Sequence, residues 1–300
     1  MTVKLSLILL FLYFKTMKKN PIKIGIMNGR LSSQVNNEIQ SFPITWKDEF
    51  HKAKNNGFNS IEWVFDLNPN PILQTDGLEE MKSLSKKYDI EISSVCADYF
   101  MQKMLFNVSD NDLEKNLIIL KKIIQQCSKL GIKILEIPFV DSSSLKTQSN
   151  IDQIVSNLQR IIDFAISHNV KITFETDLPP NEFVNFLKKF DHRIGANYDT
   201  GNSAALGYDP KDELKLLEPW LSNIHIKDRI YGGNTVPLGV GDTNFDSFFS
   251  TLGKINYNGQ LIIQGAREDE KMIKPENTCK KYLEFVKSYV DKYNLACLKK

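Results

Sequence analysis

The sequence is short of cysteine, of histidine and of charge of one sign, and each shortage closes a class of function. Its 300 residues hold four cysteines, Cys96, Cys127, Cys279 and Cys297, and no CxxC pair. That spacing suits neither a zinc knuckle nor a disulfide framework. Free thiols point to a reducing, cytoplasmic setting. Lys and Arg number 38 against 36 Asp and Glu, a formal charge of +2. So small an excess gives no general drive toward nucleic acid or an anionic membrane. The apolar run at residues 5–14 has ten residues, about half of what a bilayer helix needs. Asn28-Gly29-Arg30-Leu31 follows the first expected strand, and neither GxGxxG nor GxxxxGK(S/T) opens there, so a dinucleotide or P-loop fold is not indicated.

What the chain does contain is ordinary globular text, 42% hydrophobic and 25% charged. It can bury a large core without staples, and an α/β barrel of ~250 residues would use nearly the whole length. Residues 1–19 read as an apolar extension outside the fold, since MKKNPIKIGIMNGR from Met17 resembles a natural protein start. An uncleaved anchor or an added helix is the rival for that segment. Residues 20–300 then form one domain.

From residue 22 short β-branched runs alternate with helical ones. Strands are expected at 22–27, 59–64, 90–96, 132–138, 170–175, 193–198, 222–227 and 259–264. Helices are expected at 45–56, 76–88, 110–130, 150–168, 180–190, 212–220, 244–255 and 275–293. Thr45 is placed as an N-cap, and Gly57 and Gly131 as stops. Eight strand–helix units imply a parallel sheet, and closed on itself this is a single-domain (β/α)8 TIM barrel.

In such a barrel chemistry sits at the C-terminal strand ends. Glu175, Asp199, His225 and Gln264 end strands five to eight, which are spatial neighbours. Buried charge is costly unless paired or metal-bound. Singly, Glu175 reads as a buried ion-pair partner, Asp199 as a cap before Gly201, and His225 as a satisfied core histidine. Together they make an oxygen/nitrogen shell suited to Mn²⁺, Mg²⁺, Co²⁺ or Zn²⁺. His51, His168 and His192 fall on or beside outer helices and read as surface residues. Trp63, Phe65, Tyr99 and Phe100 either wall the pocket or pack the core.

These residues resemble the xylose isomerase-like TIM-barrel superfamily, in its sugar (phosphate) isomerase/epimerase branch. The likeness rests on FETD at strand five, YDTGN at six, IHIKDR at seven and the PLGVGDTNF loop, with IEWVFD and SVCADYF in support. It covers about residues 22–290. It implies a divalent metal ion on a strand-five Glu, a strand-six Asp, a strand-seven His and a strand-eight Glu. The first three map to Glu175, Asp199 and His225, whereas the fourth position holds Gln264. An amide cannot take a proton at neutral pH, although its oxygen can still bind a metal. The implied reaction removes a proton beside a carbonyl, with Glu175 as the catalytic base. With an amide at strand eight, one-base aldose–ketose isomerisation is easier to defend than epimerisation, unless Glu136 or Glu62 supplies a second group.

The expected substrate contacts are Glu62, Glu136, Asn202, Lys227, Asp228 and Arg267, with Lys227 and Arg267 facing an oxyanion or phosphate. Lys227 could equally pair with Glu175 or Asp228 as structural support. The expected partner is a small sugar or sugar phosphate; a second copy of the chain is left open. Three alternatives stay beside this reading: a non-catalytic sugar-binding barrel, a polyol dehydratase, and an abasic-site endonuclease. The last needs a histidine-rich multi-zinc site, and only His225 ends a strand.

Overall fold

A computed structural model describes residues 20–34 and 40–297. Eight parallel strands close into a barrel: β1 Lys23–Met27, β2 Ser60–Val64, β3 Glu91–Cys96, β4 Ile134–Phe139, β5 Lys171–Thr176, β6 Gly195–Asp199, β7 Leu221–Ile226 and β8 Gln260–Ile263. Closure is direct, since Ile262 of β8 pairs with Gly25 of β1 on one side and His225 of β7 on the other. Gly25 permits that approach: a Cβ there would sit 2.5 Å from Ser60 Oγ and 2.7 Å from Ile262 Cδ1. The extension expected at 1–19 lies outside the described residues. Among those described, no helix is long and apolar enough to cross a membrane.

Alternation along the strands divides the molecule into two cores. One parity (Ile61, Trp63, Leu135, Ile137, Phe174, Ile224) joins the large apolar cluster shared with the helices. The other parity is mostly polar. Inside the barrel Gln260 donates to Ser94 and Asn223, and both of those donate to Glu62. This network stacks beneath the strand ends and leads up to the site.

The outer layer comprises α1 Trp46–Asn56, α2 Thr75–Tyr88, α3 Asp110–Leu130, α4 Gln148–Ser167, α5 Pro180–Lys188, α6 Thr200–Leu206, α7 Pro210–Leu217, α8 Phe245–Lys254 and α9 Pro275–Lys292. Gly57 and Gly131 stop α1 and α3 at φ 87° and 76°, as expected. Ser109 caps α3, and a Thr147–Asn150 capping box starts α4. Thr45 does not cap α1: its hydroxyl donates to Ser32 Oγ at 3.0 Å. Between β6 and β7 one helix is expected, over 212–220; the chain forms α7 there and a further short helix, α6, ahead of it. That short helix is capped by Asp199, which accepts from the Gly201 and Asn202 amides at 2.8 Å. Its seven residues are too few to show a helical period in the sequence.

Candidate active site

Above the strand ends opens a cavity of about 850 Å³. Glu136, Glu175, Asn202, His225, Lys227 and Gln264 all line it. The aromatic residues do not: Trp63, Phe65 and Phe100 are fully buried in the core. Trp63 packs among Phe42, Trp46 and Phe50 and donates to Asn70.

His225 is the hub. Its Nε2 lies 2.6 Å from Glu62 Oε2 and 3.1 Å from Glu136 Oε2. Its Nδ1 lies 3.2 Å from Glu175 Oε2 and 3.1 Å from Asn197 Nδ2. Burial opposes charge on the ring, yet Glu136, Glu62 and Glu175 overcome it and hold the imidazole well above its usual pKa. The two cavity carboxylates are driven apart. Burial raises Glu136 well above the carboxylate range, against the attraction of His225. Burial also works against the Glu175 charge, but His225 and Lys227 win and take it down to about 2. Glu175 further accepts from Asn197 and Asn202, both at 2.6 Å.

One ligand atom each from Glu175, Asp199 and His225 falls within 4.8 Å of the others, and Glu62, Glu136 and His225 form a second such group. The first group fits a cation better. Glu62 lies on the floor with both oxygens engaged by Ser94, Asn223 and His225. By accepting from Nε2–H, Glu62 would leave Nδ1 as the nitrogen for a cation, the arrangement that metal-bound histidines use. Asp199 spends Oδ1 on its cap and turns Oδ2 toward Lys227 Nζ at 3.4 Å. Gln264 adds a buried amide oxygen with no hydrogen-bond partner.

Three expected substrate contacts are placed elsewhere. Glu62 is sealed beneath His225. Asp228 is fully buried and accepts from the Gly239, Gly241 and Thr243 amides at 2.8, 2.9 and 3.1 Å, holding the loop after β7. Arg267 donates to the Gly29 and Ser32 carbonyls and is not among the residues that line the cavity. Lys227 does line the cavity and pairs with Asp199, not with Glu175 or Asp228. The cavity also includes Arg30, Gln40, Asp98 and Arg229, which the sequence reading did not assign. Asp98 lies two residues past the end of β3 and could have been found by the strand-end rule. Asn197, which touches both Glu175 and His225, lies two residues before Asp199 on the same strand face and was open to the same argument. Gln40 precedes α1 in irregular chain, and no period marks it.

A closed eightfold barrel with a carboxylate- and imidazole-lined mouth defines the class of molecule. A family model described as "Xylose isomerase-like TIM barrel" matches residues 50–289, and the chain belongs to that family. Its relatives are sugar epimerases. It is 23% identical over 231 residues to the L-ribulose-5-phosphate 3-epimerase of Salmonella paratyphi C, covering 73% of this chain and 81% of that protein. Among solved structures it resembles an L-ribulose 3-epimerase, with a TM-score of 0.74, 14% identity and coverage of 91% and 96% of the two chains. It also resembles the IolI protein with a bound zinc atom, with a TM-score of 0.73, 16% identity and coverage of 91% and 99%.

Proposed function

We propose that this protein is a divalent-cation-dependent epimerase of a small ketose, moving a proton at the carbon beside the carbonyl. The observation that carries the reading is the convergence of Glu136, Glu175, His225 and Gln264 in one cavity above the strand ends. The relatives named above supply the substrate class, a ketopentose, preferably as its phosphate. The cationic side chains Arg30, Lys227 and Arg229 that line the same cavity suit an anionic group.

Glu175, Asp199, His225 through Nδ1 and the amide oxygen of Gln264 would hold the cation, Mn²⁺, Mg²⁺, Co²⁺ or Zn²⁺ by donor type. Bound there, it would supply Lewis-acid stabilisation of the charge that develops on the substrate oxygens. Glu175 is the base: it stays ionised and has two amide donors to fix its orientation. Glu136 is its counterpart, a carboxyl whose proton affinity burial raises and which is therefore suited to give a proton back. Asn202 bridges Glu175 and Lys227 and so couples the base to that cationic side chain.

Gln264 favours a second reading. An amide exchanges no proton at neutral pH, and Glu175 alone could run aldose–ketose isomerisation on one face. Turnover of L-ribulose 5-phosphate and of free L-ribulose in D₂O with Mn²⁺, followed by NMR, separates the two. Deuterium at carbon 3 with the 3-epimer supports epimerisation; deuterium at carbon 2 of an aldose product, or at carbon 1 of the recovered ketose, supports isomerisation. Glu175→Gln is expected to lower exchange by about 10²–10⁴-fold. No deuterium in any phosphorylated or free ketose overturns the enzyme reading and leaves a sugar-binding barrel.

A further inference from the structure

Strand eight ends in an amide, and an amide presents either an oxygen or an amino group to a site. Only the oxygen can meet a cation. Gln264 does not choose freely. Its Nε2 donates to Gln40 Oε1 at 2.6 Å. Gln40 is fixed in turn, because its Nε2 donates to the carboxylate of Asp98. Asp98 also receives Cys96 Sγ at 3.2 Å. A carboxylate only accepts, so Gln40 must turn its amino end to Asp98 and its carbonyl to Gln264. Arg30 imposes the same choice, since a guanidinium only donates and its Nη2 lies 3.4 Å from Gln40 Oε1. The remaining end of Gln264, Oε1, is buried with no hydrogen-bond partner, on a side chain that lines the cavity.

We propose that Asp98 and Gln40 are positioning residues that set the polarity of the Gln264 amide, so that strand eight offers a cation an oxygen and not an amino group. The proposal rests on the cation site described under Proposed function. It gives the departure from glutamate at this strand a physical consequence. A carboxylate would present oxygen in either orientation and would need no relay, whereas an amide needs one.

Mn²⁺ alone is the probe, titrated calorimetrically into the full-length, chelator-stripped protein. Gln40→Leu removes the middle of the relay, and Asp98→Ala removes its anchor. Each is expected to weaken Mn²⁺ binding about 10-fold or more, the usual effect of losing a group that orients a metal ligand. The decisive comparison is the same pair of substitutions in the Gln264→Glu background, where polarity no longer matters and neither is expected to weaken binding. Equal weakening in both backgrounds, or none in the native one, overturns the relay and leaves the cation site standing. Binding only after Gln264→Glu also overturns it, because the amide is then not a ligand. No binding in either background overturns the cation site itself and the relay with it.

Discussion

Glu213 has a larger consequence for the molecule than its distance from the strand ends suggests. It is mostly buried and accepts from Tyr198 at 3.0 Å and from Ser203. Burial outweighs those donors and pushes its carboxyl up to about 7. A carboxyl raised in the fold prefers to keep its proton there. Its contribution to stability is complete below the ordinary carboxylate range, near pH 4.5, and is lost as pH rises through 7. A gap of that size corresponds to about 3 kcal/mol. Urea unfolding of wild type and Glu213→Gln from pH 4 to 8 should show wild-type stability falling relative to the variant as pH rises. Parallel profiles would mean that Glu213 ionises normally.

At the scale of elements, the site is held up by what ends each strand and begins the next segment. Asp228 shows this best. Three backbone amides from the loop after β7 converge on one buried carboxylate, and Gly241 packs so closely that a Cβ would lie 2.4 Å from Asp228 Oδ1. Hydrogen bonds to a charged group are worth about 1.5–3 kcal/mol each, though not additively. Asp228→Ala should therefore cost about 3–5 kcal/mol in chemical denaturation and should expose residues 230–243 to early protease cleavage. Near-native stability and protease resistance would show that the loop is held by other means.

The same element explains what could be read in the sequence. The eight strands and most helices were legible because each buries its own periodic apolar face, and Gly57 and Gly131 punctuate in the expected way. Glu175, Asp199, His225 and Gln264 were legible because a polar residue at a strand end is conspicuous in apolar text. Their environment was not. Whether Asp228 or Lys227 turns into the cavity depends on the path of the loop after β7, which no period encodes. Gln40 reaches the site from far along the chain, and only the closed barrel brings it to Gln264.

For the whole molecule, the near-neutral charge of +2 conceals a concentrated field. The cavity wall carries five carboxyl side chains, Asp66, Asp98, Glu136, Asp141 and Glu175, against three cationic ones, Arg30, Lys227 and Arg229. His225 lies among the inner carboxylates, which raise its proton affinity and favour positive charge on the ring. A divalent cation held there as proposed would have to displace the proton from Nδ1, because a metal ligand has to be deprotonated. A raised histidine contributes stability below its unfolded pKa and loses it as pH rises through the folded one, so the stripped protein loses that support at high pH, while the cation meets less competition. The melting temperature of chelator-stripped protein should accordingly rise on adding Mn²⁺ or Zn²⁺, and the rise should be larger at pH 8 than at pH 6. At a hundredfold excess over Kd the gain is about 2.7 kcal/mol, or roughly 4–5 °C for a chain of this size. In His225→Ala the cation-dependent rise should disappear. A rise of equal size in that variant would place the cation away from the strand ends, and a rise that grows toward acid pH would show that His225 does not compete for it.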